Sequence, residues 1–288
     1  RLMKPPSTRY LQKLSVQLFA ATGEQSRFID TFSSYSHPAD RAFIWSDKPG
    51  FGEPHPLFPD FVAVADRSLN DPSSGDYYML DLSSVFECLP LTSLCGIDSI
   101  IDLCAAPGGK SIFASRAFRP KVHIANEVIR KRCRSLRDNL QRLGLASIET
   151  LSLPVEQLSS GHPEGFELAI VDAPCSGQSL VLKGIENPGA FNPRTIEHNA
   201  MRQRRILANA AKTVCSGGHL AYMTCTFAPA ENEQVVEWFI DHFPDFKAVD
   251  CPGLSPFQSM LSEHSCYRVF PWDQLGAGGF TCLFRRLG

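Results

Sequence analysis

Apolar residues recur along this chain with more than one period, and the changes of period divide it. Over residues 8–32, Tyr10, Leu11, Leu14, Leu18 and Phe19, then Phe28, Ile29 and Phe32, fall at helical spacing and predict two short helices broken at Gly23. Over 33–76 that periodicity gives way to Pro, Gly, Ser and Asp, as in Glu53-Pro54-His55-Pro56 and Asp71-Pro72-Ser73-Ser74-Gly75. An irregular segment is expected there, with one strand at 61–65. Its Trp45, Phe51 and Phe58 either pack against the core or stack on bases, and core packing is the better reading. After Tyr77 strands and helices alternate. Strands are expected at 99–103, 122–125, 148–153, 167–171 and 219–224, and helices at 110–118, 128–143, 195–214 and 231–243. Strands near 246–249 and 280–284 complete the pattern. The helix over 128–143 buries Ile129, Cys133, Leu136, Leu140 and Leu143 on one face, and Gly144 stops it. The class is therefore α/β, a doubly wound, mostly parallel sheet over 77–288 behind a small helical and irregular accessory segment, 1–76.

Composition narrows the setting. No apolar run among the 288 residues approaches the roughly 20 needed to span a bilayer, and no basic stretch followed by an apolar one opens the chain. Ten cysteines without a Cys-x-x-Cys pair argue for reduced thiols in a cytoplasmic protein, and against zinc or any other metal. Cys133, Cys215 and Cys282 sit in apolar contexts where a thiol behaves as a small hydrophobe. The net charge of −2 is no footprint of a nucleic-acid binder, but the cations cluster. Arg130, Lys131, Arg132, Arg134, Arg137 and Arg142 fall in one expected helix and Arg202, Arg204 and Arg205 in another. They form either a phosphate-binding patch or a solvated face.

Three segments carry chemistry. Asp172-Ala173-Pro174-Cys175-Ser176 and Tyr222-Met223-Thr224-Cys225-Thr226 each follow a short apolar run, so each is expected at the carboxyl end of a buried strand, where open α/β sheets bind ligands. The third, Asp102-Leu103-Cys104-Ala105-Ala106-Pro107-Gly108-Gly109-Lys110, joins a strand to a helix. Its paired glycines let the backbone approach a ligand, with helix N–H groups facing it. It is not a phosphate loop, which needs glycine where Cys104 stands. Glu127, after the next strand, is placed to accept hydrogen bonds from ribose hydroxyls. A loop of this kind suits an adenosyl cofactor without a pyrophosphate, and S-adenosylmethionine is the candidate. Two thiols beside such a loop suggest covalent catalysis. His55, His162 and His264 are assigned no chemistry.

Together these segments, with Thr224-Cys225-Thr226 followed by Pro229-x-Glu231-Asn232-Glu233, resemble the signature motifs of the Sun/Fmu (Nop-type) RNA cytosine-5 methyltransferases. Tyr77-Tyr78 with Asp81-Leu82-Ser83-Ser84, and the late Arg268-x-Phe270-Pro271 and Gly278-Gly279-Phe280, resemble that family too, so the similarity runs over about 77–286. The resemblance implies a Rossmann-like class I methyltransferase fold, with S-adenosylmethionine held by Cys104 to Lys110 and by Asp172, and its ribose on Glu127. It implies Cys225 as nucleophile, Cys175 as the group that helps release the methylated base, Asp172 holding the cytosine ring and Lys110 near the reacting centre. The expected partner is RNA, ribosomal rather than transfer, presenting an unpaired or flipped-out cytosine to a monomeric enzyme. The segment before Tyr77 is expected to help bind it.

Three positions depart from the family pattern. Leu151-Ser152-Leu153-Pro154 stands where an Asp-containing turn usually holds the adenine end of the cofactor, Gln178-Ser179-Leu180 where a small residue and glycine are usual, and Trp272 where His is usual. The first motivates a rival reading, a degenerate member that binds RNA or a ribosomal partner without turnover. A methyltransferase acting on a protein or small molecule would leave the paired thiols unexplained. A cysteine hydrolase would leave the adenosyl loop idle.

Overall fold

A computed structural model of the protein describes residues 7–288. Two helices open it, α1 (Thr8–Leu18) and α2 (Thr22–Ser34). Gly23 lies in the first turn of α2 and is not the break between them; the chain turns at 19–21 instead. The expected irregular segment holds three strands, β1 (Asp40–Trp45), β2 (Glu53–Pro54) and β3 (Val62–Asp66). With β4 (Tyr77–Leu80) they form an antiparallel sheet in the order β2-β3-β1-β4. Five consecutive residues of β1 are buried, so the strand lacks the alternation that announces a half-exposed one. The expected division at 76/77 falls inside this sheet, because Trp45 pairs with Tyr77 and Ile44 with Tyr78. Trp45 and Phe58 are buried and Phe51 packs edge-on against Trp45 and Phe43, so all three serve the core.

Next come α3 (Leu82–Cys88), β5 (Ser99–Asp102), α4 (Gly109–Phe118), β6 (Val122–Asn126), α5 (Arg130–Arg142), β7 (Glu149–Leu151) and α6 (Val155–Gly161). Then follow β8 (Phe166–Asp172), α7 (Gln178–Leu182), α8 (Pro193–Ala211), β9 (Val214–Thr224), α9 (Glu233–His242), β10 (Phe246–Ala248), β11 (Tyr267–Val269) and β12 (Gly279–Arg286). The main sheet runs β10-β12-β9-β8-β5-β6-β7, with β11 also on β12. Strands β7, β6, β5, β8 and β9 are mutually parallel, and the β12 pairings are antiparallel.

Successive strand residues face opposite sides of the sheet. Ile100 therefore joins one core with Ile112, Phe113 and Leu136, whereas Ile101 joins another with Leu158, Leu207 and Phe239. The accessory sheet caps the first core through Phe58, edge-on against Phe113 at 4.7 Å. In α5, Cys133, Leu136, Leu140 and Leu143 are buried as expected, but Ile129 is 46% exposed. It is the N-cap of that helix, its N–H spent on Glu127, and so stands outside the apolar stripe. Strand order reverses between β5 and β8, and ligands of such sheets bind at the carboxyl ends of the strands flanking that switch. Asp102 and Asp172 end those two strands.

Candidate active site

The loop after β5 is shaped from within. Fully buried Asp102 accepts the Cys104 N–H at 3.1 Å and the Ser111 hydroxyl at 2.7 Å, so one carboxylate fixes both ends of the turn. Burial pushes Asp102 up to about 7, against those two bonds. Ala105 donates to the Asn126 carbonyl at 2.9 Å, while Arg132 and Asn139 of α5 hold the Ala106 and Pro107 carbonyls at 2.6 and 2.9 Å. Gly108 has φ +122°, which favours glycine, and a Cβ on Gly109 would lie 2.6 Å from Leu80. The first turn of α4 thus opens with N–H groups that no helix carbonyl can take.

Glu127 follows β6 and is almost fully buried. Its Oε1 accepts the Ile129 N–H at 2.9 Å, whereas Oε2, 3.1 Å from the Arg132 guanidinium, makes no hydrogen bond. It lines a crevice with Leu103, Cys104, Val128, Pro154 and Arg202. A buried carboxylate oxygen without a hydrogen bond at the carboxyl end of β6, one strand from the switch, fits a ribose hydroxyl. The turn that lacks the usual Asp is held by Asn126, which accepts the Leu153 N–H at 2.9 Å and donates to the Leu153 carbonyl at 3.0 Å. These residues fit an adenosyl group.

Across the switch, the Cys175 and Cys225 sulfurs meet at 3.2 Å, both partly exposed. The hydrogen bond to Cys225, with burial, raises the Cys175 thiol well above its ordinary value. The two sulfurs belong to different loops, and a polar frame ties the loops together. Glu231 Oε2 accepts the Ser176 N–H at 2.8 Å and the Gln203 amide at 2.9 Å, and Gln203 also holds the Pro174 carbonyl at 3.0 Å. The Ser176 and Thr226 hydroxyls bond at 2.7 Å. Burial pushes Glu231 up to about 7. The departure at Gln178 and Ser179 belongs to this frame. Gln178 accepts the Phe227 N–H at 2.9 Å and donates to the Ala190 carbonyl, while the Ser179 N–H and hydroxyl both donate to the Cys225 carbonyl at 3.2 and 2.9 Å. Trp272 stacks on Phe270 at 4.7 Å, and Arg27 of α2 lies over its ring, so the third departure seats the accessory helices against the Cys225 loop.

Asp172 is half-buried beside Cys175, and its carboxylate takes no hydrogen bond among the described residues. Lys110 is buried, donating to the Ser84 carbonyl at 2.9 Å and paired with Glu87. Burial lowers the Lys110 ammonium, but Glu87 and Asp172 more than reverse this and keep it protonated. Burial raises Glu87 to about 7 even though Lys110 opposes it. The structure thus gathers Lys110, Asp172, Cys175 and Cys225 at one sheet edge, with residues 104–110 and Glu127 alongside.

Sequence reasoning missed Glu87, Gln203 and the role of Glu231. Glu87 stands in the apolar run Val85-Phe86-Glu87-Cys88-Leu89, which signals burial but not its partner, and Glu231 lies in a motif noted for resemblance alone. Among the described residues no cluster of three or more metal-ligating side chains occurs, and no helix is long and apolar enough to cross a membrane.

A family model described as 16S rRNA methyltransferase RsmB/F matches residues 94–285. Ribosomal RNA small subunit methyltransferase F of Escherichia coli is 30% identical over 222 residues, and that of Pectobacterium carotovorum 31%; each alignment covers 74% of this chain. The chain spans 45% of the length of these relatives. Among solved structures, a methyltransferase homolog protein from Pyrococcus horikoshii superposes with a TM-score of 0.73 at 21% identity, covering 99% of this chain and 100% of that one. NSun6 from Pyrococcus horikoshii, solved with SFG, gives 0.66 at 24% identity over 81% of this chain and 61% of that one. Both share the Rossmann-like methyltransferase fold found here.

Proposed function

Because the chain belongs to the 16S rRNA methyltransferase RsmB/F family, we propose that it methylates carbon 5 of a cytosine in RNA, ribosomal rather than transfer, through a covalent bond to Cys225. The observation that carries this reading is the pair of sulfurs 3.2 Å apart at the carboxyl ends of the adjacent strands β8 and β9.

The cofactor is S-adenosylmethionine, with residues 104–110, Glu127 and Asp172 to hold it, and when bound it supplies an electrophilic methyl group. The residues of this chain do the rest. Carbon 5 of cytosine is a weak nucleophile until the Cys225 thiolate adds at carbon 6 and makes the ring enamine-like. The hydrogen bond between the sulfurs, with burial, holds the proton on Cys175, and we assign the nucleophile's role to Cys225. Asp172, free of internal hydrogen bonds, accepts from the exocyclic amine of the base. Lys110, fixed by Glu87, keeps a positive charge beside the ring. Once carbon 5 carries the methyl group, its proton must leave before the sulfur–carbon 6 bond can break. Once the Cys225 sulfur is bonded to carbon 6 it no longer accepts from Cys175; the Cys175 proton passes to water, and the thiolate so formed receives the carbon 5 proton. Buried in a duplex, carbon 6 would be out of reach, so the target is unpaired or flipped out.

We propose that the accessory segment before Tyr77, whose sheet β4 completes, helps bind RNA, and that the region after it carries the transferase site of a monomeric cytoplasmic protein. The test is to incubate the protein with labelled S-adenosylmethionine and ribosomal RNA, digest to nucleosides and locate the methyl group. 5-Methylcytidine is expected, and label on any other atom or base contradicts the proposal. The Leu153-Pro154 turn favours one second reading, an RNA binder without turnover; it requires that calorimetry detect no cofactor binding.

A further inference from the structure

Lys183 directly follows α7, and its ammonium lies 3.4 Å from Asp81 Oδ1 with the side chain 17% exposed. Lys183 helps keep the buried Asp81 carboxylate ionised, but it is not the only partner that carboxylate has. Asp81 already accepts the Ser83 N–H at 3.1 Å, the Ser83 hydroxyl at 2.5 Å and the Ala277 N–H at 3.2 Å, and His37 Nε2 lies 2.9 Å from its other oxygen. Lys183 makes no side-chain hydrogen bond to any described residue, and with one N–H turned to Asp81 two donors are left for another partner. Lys110, another cation of this edge, has its donors on Ser84 and Glu87. The position of Lys183 is fixed relative to the thiols. Ser179, near the start of α7, bonds the Cys225 carbonyl twice, and four helical residues advance about 6 Å, within reach of a lysine stem. Its charge also reaches Glu87, whose carboxyl it lowers.

We infer that Lys183 is a phosphate-binding residue, held by Asp81 at the mouth of the catalytic crevice to take a backbone phosphate of the target nucleotide. This rests on the RNA reading above. An extruded base gives up its stacking neighbours, so its register must be fixed through the backbone, and phosphate contacts do that without reading sequence.

Filter binding of a short single-stranded ribosomal RNA between about 50 and 200 mM salt tests the inference. Lys183→Gln should weaken binding about tenfold at low salt and reduce the slope of log affinity against log salt by about 0.7, with Lys183→Arg keeping the wild-type slope. The loss should fall on KM for RNA more than on kcat. In the unmutated protein, the same RNA should shield Lys183 from an amine-acetylating reagent, read by mass spectrometry; this arm needs no variant to fold. A wild-type slope in Lys183→Gln, or acetylation of Lys183 undiminished by RNA, overturns the inference while leaving the RNA reading standing. Absence of salt-dependent RNA binding by the wild type overturns both.

Discussion

The two walls of the crevice are built on opposite terms. On the thiol wall the side chains of Glu231, Gln203, Gln178, Ser176 and Thr226 hold one another and the backbone of the two cysteine loops, with Glu231 Oε1 and Gln203 Oε1 the buried atoms left over. On the cofactor wall the backbone is equally well held, by Asp102, Asn126, Arg132 and Asn139, yet one Glu127 oxygen, beside Arg132, makes no hydrogen bond and the first turn of α4 keeps its N–H groups. The difference follows from what each wall must do. A wall that positions two sulfurs 3.2 Å apart has to be rigid without help, whereas a wall that recognises a small molecule must leave partners unsatisfied for it. Substitutions should therefore separate stability from affinity by location.

The largest effect should come from the buried ion pair between the walls. Lys110→Met strands the Glu87 carboxylate and should cost about 3–5 kcal/mol, read as a lower urea midpoint, with methyl transfer lost as well. Glu231 gives the next. Its folded pKa of about 7 lies above the ordinary 4.5, so the folded state holds its proton more tightly. Stability from this group is complete below about pH 4.5 and is lost as pH rises through 7. Denaturation between pH 5 and 8 should show that decline, and Glu231→Gln should flatten it by about 2–3 kcal/mol. An unchanged slope would place the proton elsewhere. Gln178→Ala leaves the buried Phe227 N–H without its partner and should cost about 1–3 kcal/mol in thermal melts, with cofactor affinity kept. Glu127→Gln should do the reverse, weakening S-adenosylmethionine about tenfold by calorimetry with little change in melting temperature. If Gln178→Ala weakened the cofactor as much as Glu127→Gln, the two walls would not be independent.

Much of this comparison was legible in the sequence, though unevenly. The parallel core could be read because its strands are short apolar runs separated by amphipathic helices, and the site loops because they end those strands. The accessory sheet was legible only at β3: β1 is buried over its last five residues and β2 contains a proline, so neither shows a strand's alternation. The short helices α3, α6 and α7 have five to seven residues, too few to establish a period. Ile129 shows the limit of periodicity, which extends a stripe past the residue where the helix begins. Glu87 and Glu231 show a different limit. An acid is read as surface unless its partner is known, and the partners here, Lys110 and the Ser176 N–H, lie 23 and 55 residues away.

The central claim is that Cys225 bonds to the base and Cys175 helps release it. Denaturing electrophoresis of the wild type, Cys225→Ala and Cys175→Ala after incubation with labelled ribosomal RNA and S-adenosylmethionine tests it most directly. The account predicts a slow-migrating protein–RNA band that accumulates in Cys175→Ala and is absent from Cys225→Ala, which also transfers no methyl group. Methylation by Cys225→Ala at the wild-type rate, or an adduct that survives the loss of that sulfur, would contradict it.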